Sequence, residues 1–176
     1  MFTSVAAADG GAVYVAGTTD STVLRGHRNH GDTDAFVAKL TEEGHVRWLR
    51  MLGEGYAEEG LAVAAMPDGG VAVAGGQAIR YSEPPMTSTS GEIWRLSSDG
   101  DAVWHRRLRS VNRVVGVVAS PDGGLYFAGE GYGGNHSDIV AGKLHEDGTV
   151  HWRNHIRTTS NASPAMCCVL PTPDDA

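Results

Sequence analysis

The chain contains one sequence motif three times, and this repetition limits its fold more than any other feature. The copies are "SVAAADGGAVYVAGT" at residues 4–18, "AVAAMPDGGVAVAGG" at residues 62–76 and "GVVASPDGGLYFAGE" at residues 116–130. Self-similarity at a regular spacing is typical of solenoids, propellers and repeat arrays, in which each copy forms one supersecondary unit. The chain is therefore predicted to stack three similar units.

The similarity continues beyond the motif, into residues 34–52, 90–108 and 138–156. A tryptophan marks the register in each copy, and a glycine stands four residues before it: Trp48, Trp104 and Trp152, with Gly44, Gly100 and Gly148. We expect the three indoles to be structurally equivalent and largely buried between successive units. Both sets are interpreted as structural anchors of the repeat.

The sequence pattern of each unit predicts four short strands. The first two are joined by a "PDGG" or "ADGG" turn, in which Asp and Gly supply tight-turn geometry. Asp9, Asp68 and Asp122 recur at this turn. Because a single active site would not be repeated in every unit, we interpret these aspartates as turn residues.

The hydrophobic pattern changes along each unit. Strands one and two carry apolar residues on both alternating faces, whereas strand four alternates, with Val150, Trp152 and Ile156 opposite His151 and Arg153. A sheet that is buried on both faces at its first strand and solvent-exposed on one face at its fourth fits the blade of a β-propeller, which packs between neighbouring blades. A solenoid would need a shorter repeat, and a sandwich would not repeat its sequence.

The predicted fold is therefore all-β, with three four-stranded antiparallel propeller blades at about residues 3–52, 61–108 and 115–157. Residues 164–176 match the first strand and turn of a fourth blade. Three blades leave two apolar faces open, while propellers close with about 4–8 blades. We expect either an incomplete ring or a ring that closes by self-association through the terminal blade faces.

The pattern "PDGGVAVAGG … DAFVAKLTEEGHVRW" resembles bacterial β-propeller repeats known as SBBP or delta-60 repeats. The resemblance covers residues 3 to about 174. It implies the propeller fold, an exported, periplasmic or cell-surface protein, and a binding role without a common chemistry. The predicted function is a non-enzymatic binding or scaffolding module with a protein or carbohydrate ligand.

The spacing Leu-x-x-x-Gly-x-x-x-Trp is also similar to the tryptophan-docking motif of quinoprotein propellers, which bind pyrroloquinoline quinone. The turn here is one residue shorter, and the set of quinone ligands and the vicinal disulfide of that family cannot be placed on three blades, so no cofactor is predicted. The adjacent Cys167 and Cys168 are interpreted as small buried residues, which leaves their redox state open. The alternative function is part of an enzyme, a hydrolase or a quinoprotein, whose site is completed by further blades.

The loop "RGHRNHGDTD" contains the candidate metal ligands His27, His30 and Asp32, followed by Asp34, and their imidazole and carboxylate groups suit zinc or a similar ion. The corresponding loops of the other units do not repeat this set, so a solvated loop is favoured and no metal is predicted. Trp94 matches the small residues Ala38 and Gly142 in the other units. It either fills a gap beside them or serves as a ligand platform.

Charge and hydropathy exclude two classes of partner. The net charge is −7, from 14 basic and 21 acidic residues. No basic patch dominates, which argues against nucleic acid, and the cluster "HRRLRSVNR" is interpreted as a solvated strand face. No run approaches the roughly 20 apolar residues of a membrane helix, so membrane insertion is not expected.

Overall fold

The computed structural model describes residues 1–81, 86–132 and 137–157. The predicted start of a fourth unit, with Cys167 and Cys168, lies outside these residues. The described residues form an all-β structure of three four-stranded antiparallel sheets and one small hairpin, which confirms the predicted fold class at this level.

Each large sheet contains four strands in chain order. The first sheet is β1 (Phe2–Ala7), β2 (Val13–Thr19), β5 (Asp34–Leu40) and β6 (Val46–Leu52). The second sheet is β7 (Ala57–Ala65), β8 (Val71–Tyr81), β9 (Met86–Leu96) and β10 (Ala102–Leu108). The third sheet is β11 (Val111–Ala119), β12 (Leu125–Tyr132), β13 (Ser137–Leu144) and β14 (Val150–Ile156). The hairpin is β3 (Val23–Leu24) with β4 (His27–Arg28).

Asp-Gly turns join the first two strands of the second and third sheets. In the β7–β8 turn the Asp68 carboxylate accepts a hydrogen bond of 3.0 Å from the backbone N–H of Gly70. Asp122 accepts the equivalent bond from Gly124 at 3.1 Å. A carboxylate that binds the backbone N–H two residues later is typical of an Asx turn.

The turn of the first sheet is built differently. β1 pairs Ala7 with Val13, and β7 pairs Ala65 with Val71, so Asp9 occupies the position of Pro67 rather than that of Asp68. The chain forms a short 3₁₀ turn over Asp9–Gly11 instead, with no side-chain cap. The shared turn position predicted for Asp9 is therefore displaced by one residue.

The sheets stack face to face through two apolar cores. One core joins the first two sheets and includes Tyr14 and Val37 together with Val73. The other joins the second and third sheets and includes Ile93 and Phe127. The second sheet is covered on both faces, as its strands without polar alternation predict.

The first strands of successive sheets, β1, β7 and β11, lie next to one another, while the tryptophan-bearing strands β6, β10 and β14 form the opposite edge of each sheet.

Two strands begin earlier than the repeat predicts, β7 at Ala57 and β11 at Val111. β7 is longer because Glu58 still pairs with Gln77 beyond the repeated apolar stretch. The described residues do not form a closed ring, and none of their helices is long and apolar enough to cross a membrane.

Candidate functional site

A tryptophan and an arginine on β6 bind the β9–β10 turn of the next sheet. The Trp48 Nε1–H donates to the carbonyl oxygen of Ser98 at 3.0 Å, and Arg50 Nε donates to that of Gly100 at 2.9 Å. Gly100 has a φ of +84°, and a Cβ there would lie 3.0 Å from the Trp48 ring. The indole therefore covers a turn that only glycine fits. We call this set the Trp–Arg contact.

The Trp–Arg contact is repeated between the second and third sheets. Trp104 Nε1 donates to the carbonyl oxygen of Glu146 at 2.8 Å, and Arg106 Nε donates to that of Gly148 at 3.2 Å. A Cβ on Gly148 would lie 2.9 Å from the Trp104 ring. The first and second sheets thus each bind the turn of the sheet that follows, in the same direction.

The third copy differs from the other two. Trp152 faces Lys143 across the strands, as Trp48 faces Lys39, so the indoles occupy equivalent positions. Trp152 is nevertheless 39% exposed, whereas Trp48 and Trp104 are half-buried. The expectation that all three are largely buried is wrong for Trp152, because an outer-strand indole is covered only where the next sheet supplies a turn.

At the other end of the strands, charged groups gather between the first and second sheets. We call the end that contains the β6–β7 connection the loop end. Glu92 is buried, and its Oε1 accepts from Arg107 Nε at 2.9 Å. Arg107 Nη2 donates to Glu54 at 2.7 Å, and Glu54 lies 3.7 Å from the His105 Nδ1. Arg107 is exposed, as the predicted solvated strand face requires, and His105 is half-buried; both belong to this network.

Two buried carboxylates at the loop end each keep one oxygen without a hydrogen-bond partner. Asp34 Oδ2 accepts from the backbone N–H of His30, and Glu58 Oε1 accepts from Gln77 Nε2 at 3.0 Å. Asp34 Oδ1 and Glu58 Oε2 have no partner among the described residues. They lie 2.7 and 3.0 Å from the position that a Cβ would take on Gly53, so they face the same small space.

The predicted metal candidates do not converge. His27 lies exposed on β4, and His30 Nδ1 contacts Asp34 Oδ2 at 3.3 Å. The backbone N–H of Asp32 donates to the carbonyl oxygen of Tyr56. In the part of the chain that the structure describes, no three His, Cys, Asp or Glu side chains are placed to hold a metal ion.

Trp94 is a core residue. It is buried between the first two sheets, and its ring stacks on His105 with centroids 5.1 Å apart. At the matching position of the first sheet, Ala38 lines a cavity of about 510 Å³. Phe36 and Leu49 line the same cavity, and Leu24 of the β3–β4 hairpin lies over it. The first sheet therefore has an apolar hollow where the second sheet has an indole.

Turn aspartates pair with cations of their own sheet. Asp68 binds Arg95 through both carboxylate oxygens, and Asp122 binds Lys143. Burial raises the pKa of Asp68, but hydrogen bonds from Gly70 and Arg95 outweigh burial and place the pKa below its ordinary value. The hydrogen bond from Lys143, with help from Ser120 and Gly124, holds the pKa of Asp122 well below its usual range.

Comparisons with known proteins give little about identity. No family profile matches the chain. The chain is 25% identical, over 179 aligned positions, to the regulatory protein FlaEY of Caulobacter vibrioides. The alignment covers 92% of this chain and 18% of that protein, so the chain spans less than a fifth of the length of FlaEY.

A similar solved structure is the crystal structure of a protein of unknown function from Bacteroides caccae. The two share 12% identity with a TM-score of 0.28, over 88% of this chain and 81% of the other.

Sequence patterns did not point to the loop-end network, and they named Asp34 only in the candidate metal loop, without its partner Glu58. Glu58, Gln77 and Glu92 do not recur in the repeat, and they lie on three different strands. The arginine two residues after Trp48 and Trp104 was the one available signal for the Trp–Arg contact, since it is present in two copies and replaced by Asn154 in the third.

Proposed function

We propose that the chain is a segment of a β-propeller in which the three sheets are successive blades, and that it acts as a non-enzymatic binding or scaffolding module. The observation that supports this most directly is the Trp–Arg contact. It joins the first sheet to the second and the second to the third through the same atoms and in the same direction. Repetition of one contact in one direction is what radially repeated blades require.

The placement of the strands agrees with this proposal. First strands lie next to one another from sheet to sheet, and the tryptophan strands lie at the far edges. The middle sheet packs on both faces. In a propeller these would be the inner strands at the axis, the outer strands at the rim and the two faces of one blade.

The loop end is the surface that we assign to a protein or carbohydrate ligand. Loops carry most binding residues, because a rigid scaffold positions them. Here Glu54 is exposed and bound to Arg107, and Tyr56, two residues later in the chain, is also exposed, so the loop end offers hydrogen-bond acceptors, a cation and an aromatic ring. A non-catalytic role is also compatible with the similarity to part of the regulatory protein FlaEY. We place the protein outside the cytoplasm on the repeat resemblance alone.

The test is a titration of the ¹⁵N-labelled protein with a panel of soluble oligosaccharides and with basic and acidic peptides. A binding module should give saturable shifts at the amides of Glu54 and Tyr56, and none at Gly100, at the opposite end of the sheets. Glu54→Gln should weaken the shifts caused by a basic peptide and leave the fold unchanged. The absence of saturable shifts with every ligand would contradict the assignment of the loop end. Repeated turnover of chromogenic esters or glycosides by the same preparation would favour the enzyme alternative.

A further inference from the structure

The outer face of the third sheet repeats a docking face that is occupied in the first sheet. On the first sheet Tyr14, Lys39 and Trp48 form one row across β2, β5 and β6. On the third sheet Tyr126, Lys143 and Trp152 form the same row across β12, β13 and β14. Three identical residue types in one register point to one shared way of contacting a neighbour.

In the first sheet the second sheet covers this row. The Tyr14 hydroxyl donates to the carbonyl oxygen of Gly69 at 2.7 Å. Lys39 Nζ and Trp48 Nε1 both donate to the carbonyl oxygen of Ser98, at 3.1 and 3.0 Å. Tyr14 is fully buried as a result. The row therefore binds two turns of one sheet, the turn between its first two strands and the turn between its last two.

In the third sheet the row is formed and its two aromatic rings are exposed, while Lys143 Nζ also binds the Asp122 carboxylate. Lys143 Nζ lies 5.2 Å from the centre of the Tyr126 ring, the same distance as between Lys39 and Tyr14. Tyr126 and Trp152 have ring centroids 6.4 Å apart, yet they are 37% and 39% exposed. Exposed tyrosine and tryptophan side chains are enriched at binding interfaces.

The matching acceptor surface is open on the first sheet. In the β5–β6 turn the N–H of Gly44 donates to the carbonyl oxygen of Thr41 at 3.0 Å, as that of Gly100 does to Ser97. Gly44 has a φ of +82°, and the space beyond its Cα is empty, whereas the equivalent spaces at Gly100 and Gly148 are filled by indoles. The turn is therefore shaped to receive a tryptophan that no described residue provides.

The β1–β2 turn of the same sheet supplies the second acceptor. Gly11 takes the position of Gly69, because Ala7 pairs with Val13 as Ala65 pairs with Val71. The apolar hollow beside Ala38 lies on this outer face of the first sheet, where Leu24 of the β3–β4 hairpin packs against it. In the first sheet the tyrosine–tryptophan row binds two turns of this kind.

We propose that two copies of this chain associate head to tail, the Tyr126–Lys143–Trp152 row of each copy docking on the β1–β2 and β5–β6 turns of its partner. Trp152 then covers Gly44 of the partner, as Trp48 covers Gly100 within one chain. Two such contacts join the six four-stranded sheets that the described residues of two copies form, within the range of about 4–8 blades in closed propellers. A head-to-tail interface gives a closed ring when its rotation closes. Ring closure rests on the proposed propeller arrangement, while the docking contact rests on the repeated Trp–Arg contact.

Asn154 stands where the occupied contacts have Arg50 and Arg106. Those arginines also reach the carbonyl oxygens of the acidic turn residues Asp99 and Asp147. The open turn has Glu43 at this position. The third copy therefore lacks the guanidinium group, and the association between copies is weaker than the contacts within one chain. An arginine at position 154 should strengthen the association, which gives a gain-of-function test.

The experiment is sedimentation velocity of the full 176-residue protein from micromolar to hundred-micromolar concentration. We expect a monomer–dimer equilibrium for the natural sequence. Asn154→Arg should lower the dissociation constant about tenfold, the equivalent of about 1.4 kcal/mol. Trp152→Ala should give a monomer at every concentration with an unchanged circular dichroism spectrum. Tyr126→Phe, which removes one hydroxyl and keeps the ring, should weaken the dimer by a smaller factor.

Val103→Ala is the matched control, because Val103 is exposed on β10, away from both docking faces, and its replacement should leave the dimer unchanged. A monomer for both the natural sequence and Asn154→Arg at the highest concentration would overturn the proposal, whatever covers Trp152. A dimer that persists in Trp152→Ala would overturn the assigned contact. Neither result depends on the ligand titration at the loop end, so the two proposals fail separately.

Discussion

The ring of Trp48 lies 3.0 Å from the position that a Cβ would take on Gly100, in the sheet that follows. Trp104 has the same relation to Gly148, at 2.9 Å. In each pair the two residues are separated by about fifty residues of chain. Glycine is required at each turn position for two reasons: its φ is positive, and the indole occupies the space that a Cβ would need. This pairing connects the local turn chemistry of one sheet to the stability of the next.

Gly100→Ala should destabilise the protein more than Gly44→Ala. Both glycines have a positive φ, which costs an L-residue about 1–2 kcal/mol. At Gly100 the new methyl group also displaces Trp48, and such overpacking adds about 1–3 kcal/mol. Urea denaturation of both variants in a Trp152→Ala background measures the difference in the monomer. Equal losses would show that the indole does not pack on the turn.

Trp104→Ala should cost about 2–3 kcal/mol, less than the 3–5 kcal/mol of a fully buried aromatic residue, because the ring is half-buried. Trp104→Phe should cost about 1 kcal/mol, since it keeps most of the apolar contact and loses the hydrogen bond to Glu146. Trp152→Ala is the reference for an indole without a covering turn. Thermal unfolding at low protein concentration should rank Trp104→Ala as the least stable of the three, and any other order would contradict the contact.

Asp122 should contribute stability that is lost in acid. Its pKa is lowered in the folded protein, first by the hydrogen bond from Lys143, so its contribution is fully present above about pH 4, the unfolded pKa of aspartate. The contribution falls as the pH drops below that value. Asp122→Asn should remove this contribution near neutral pH, where stability falls by a constant amount, and should flatten the loss of stability below about pH 4. Asp20→Asn, at an exposed position, is the control and should retain the natural profile.

Glu58→Gln should stabilise the protein by about 1–2 kcal/mol at neutral pH. The new side-chain amide keeps an oxygen for Gln77 and can donate its N–H toward the unpartnered Oδ1 of Asp34, while one of two adjacent buried charges disappears. Asp34→Asn should have a similar effect. The double variant should gain less than the sum, because either change alone provides the missing donor. Destabilisation by both single variants would show that the carboxylates act as charged groups with a bound cation.

The sequence by itself determined the repeat, the strands and most turns. The Asp-Gly turns, the glycines with positive φ and the runs of apolar residues depend on contacts within a few residues, so each copy of the motif specifies its own sheet. The apolar pattern on both faces of β8 also predicted that the second sheet is covered on both sides, because hydrophobic burial follows the pattern directly. The all-β class followed from these local signals.

The tertiary structure decided which equivalent residues have equivalent roles. Trp48 and Trp152 share a register, but only Trp48 meets a turn, since that turn belongs to another sheet. Ala38 and Trp94 also match, and one leaves a hollow where the other fills the core. Asp34 and Glu58 meet only because the first two sheets stack. The burial and pairing of these side chains depend on neighbours distant in sequence, which a repeat pattern does not encode because it describes each unit without the surface that the next unit provides.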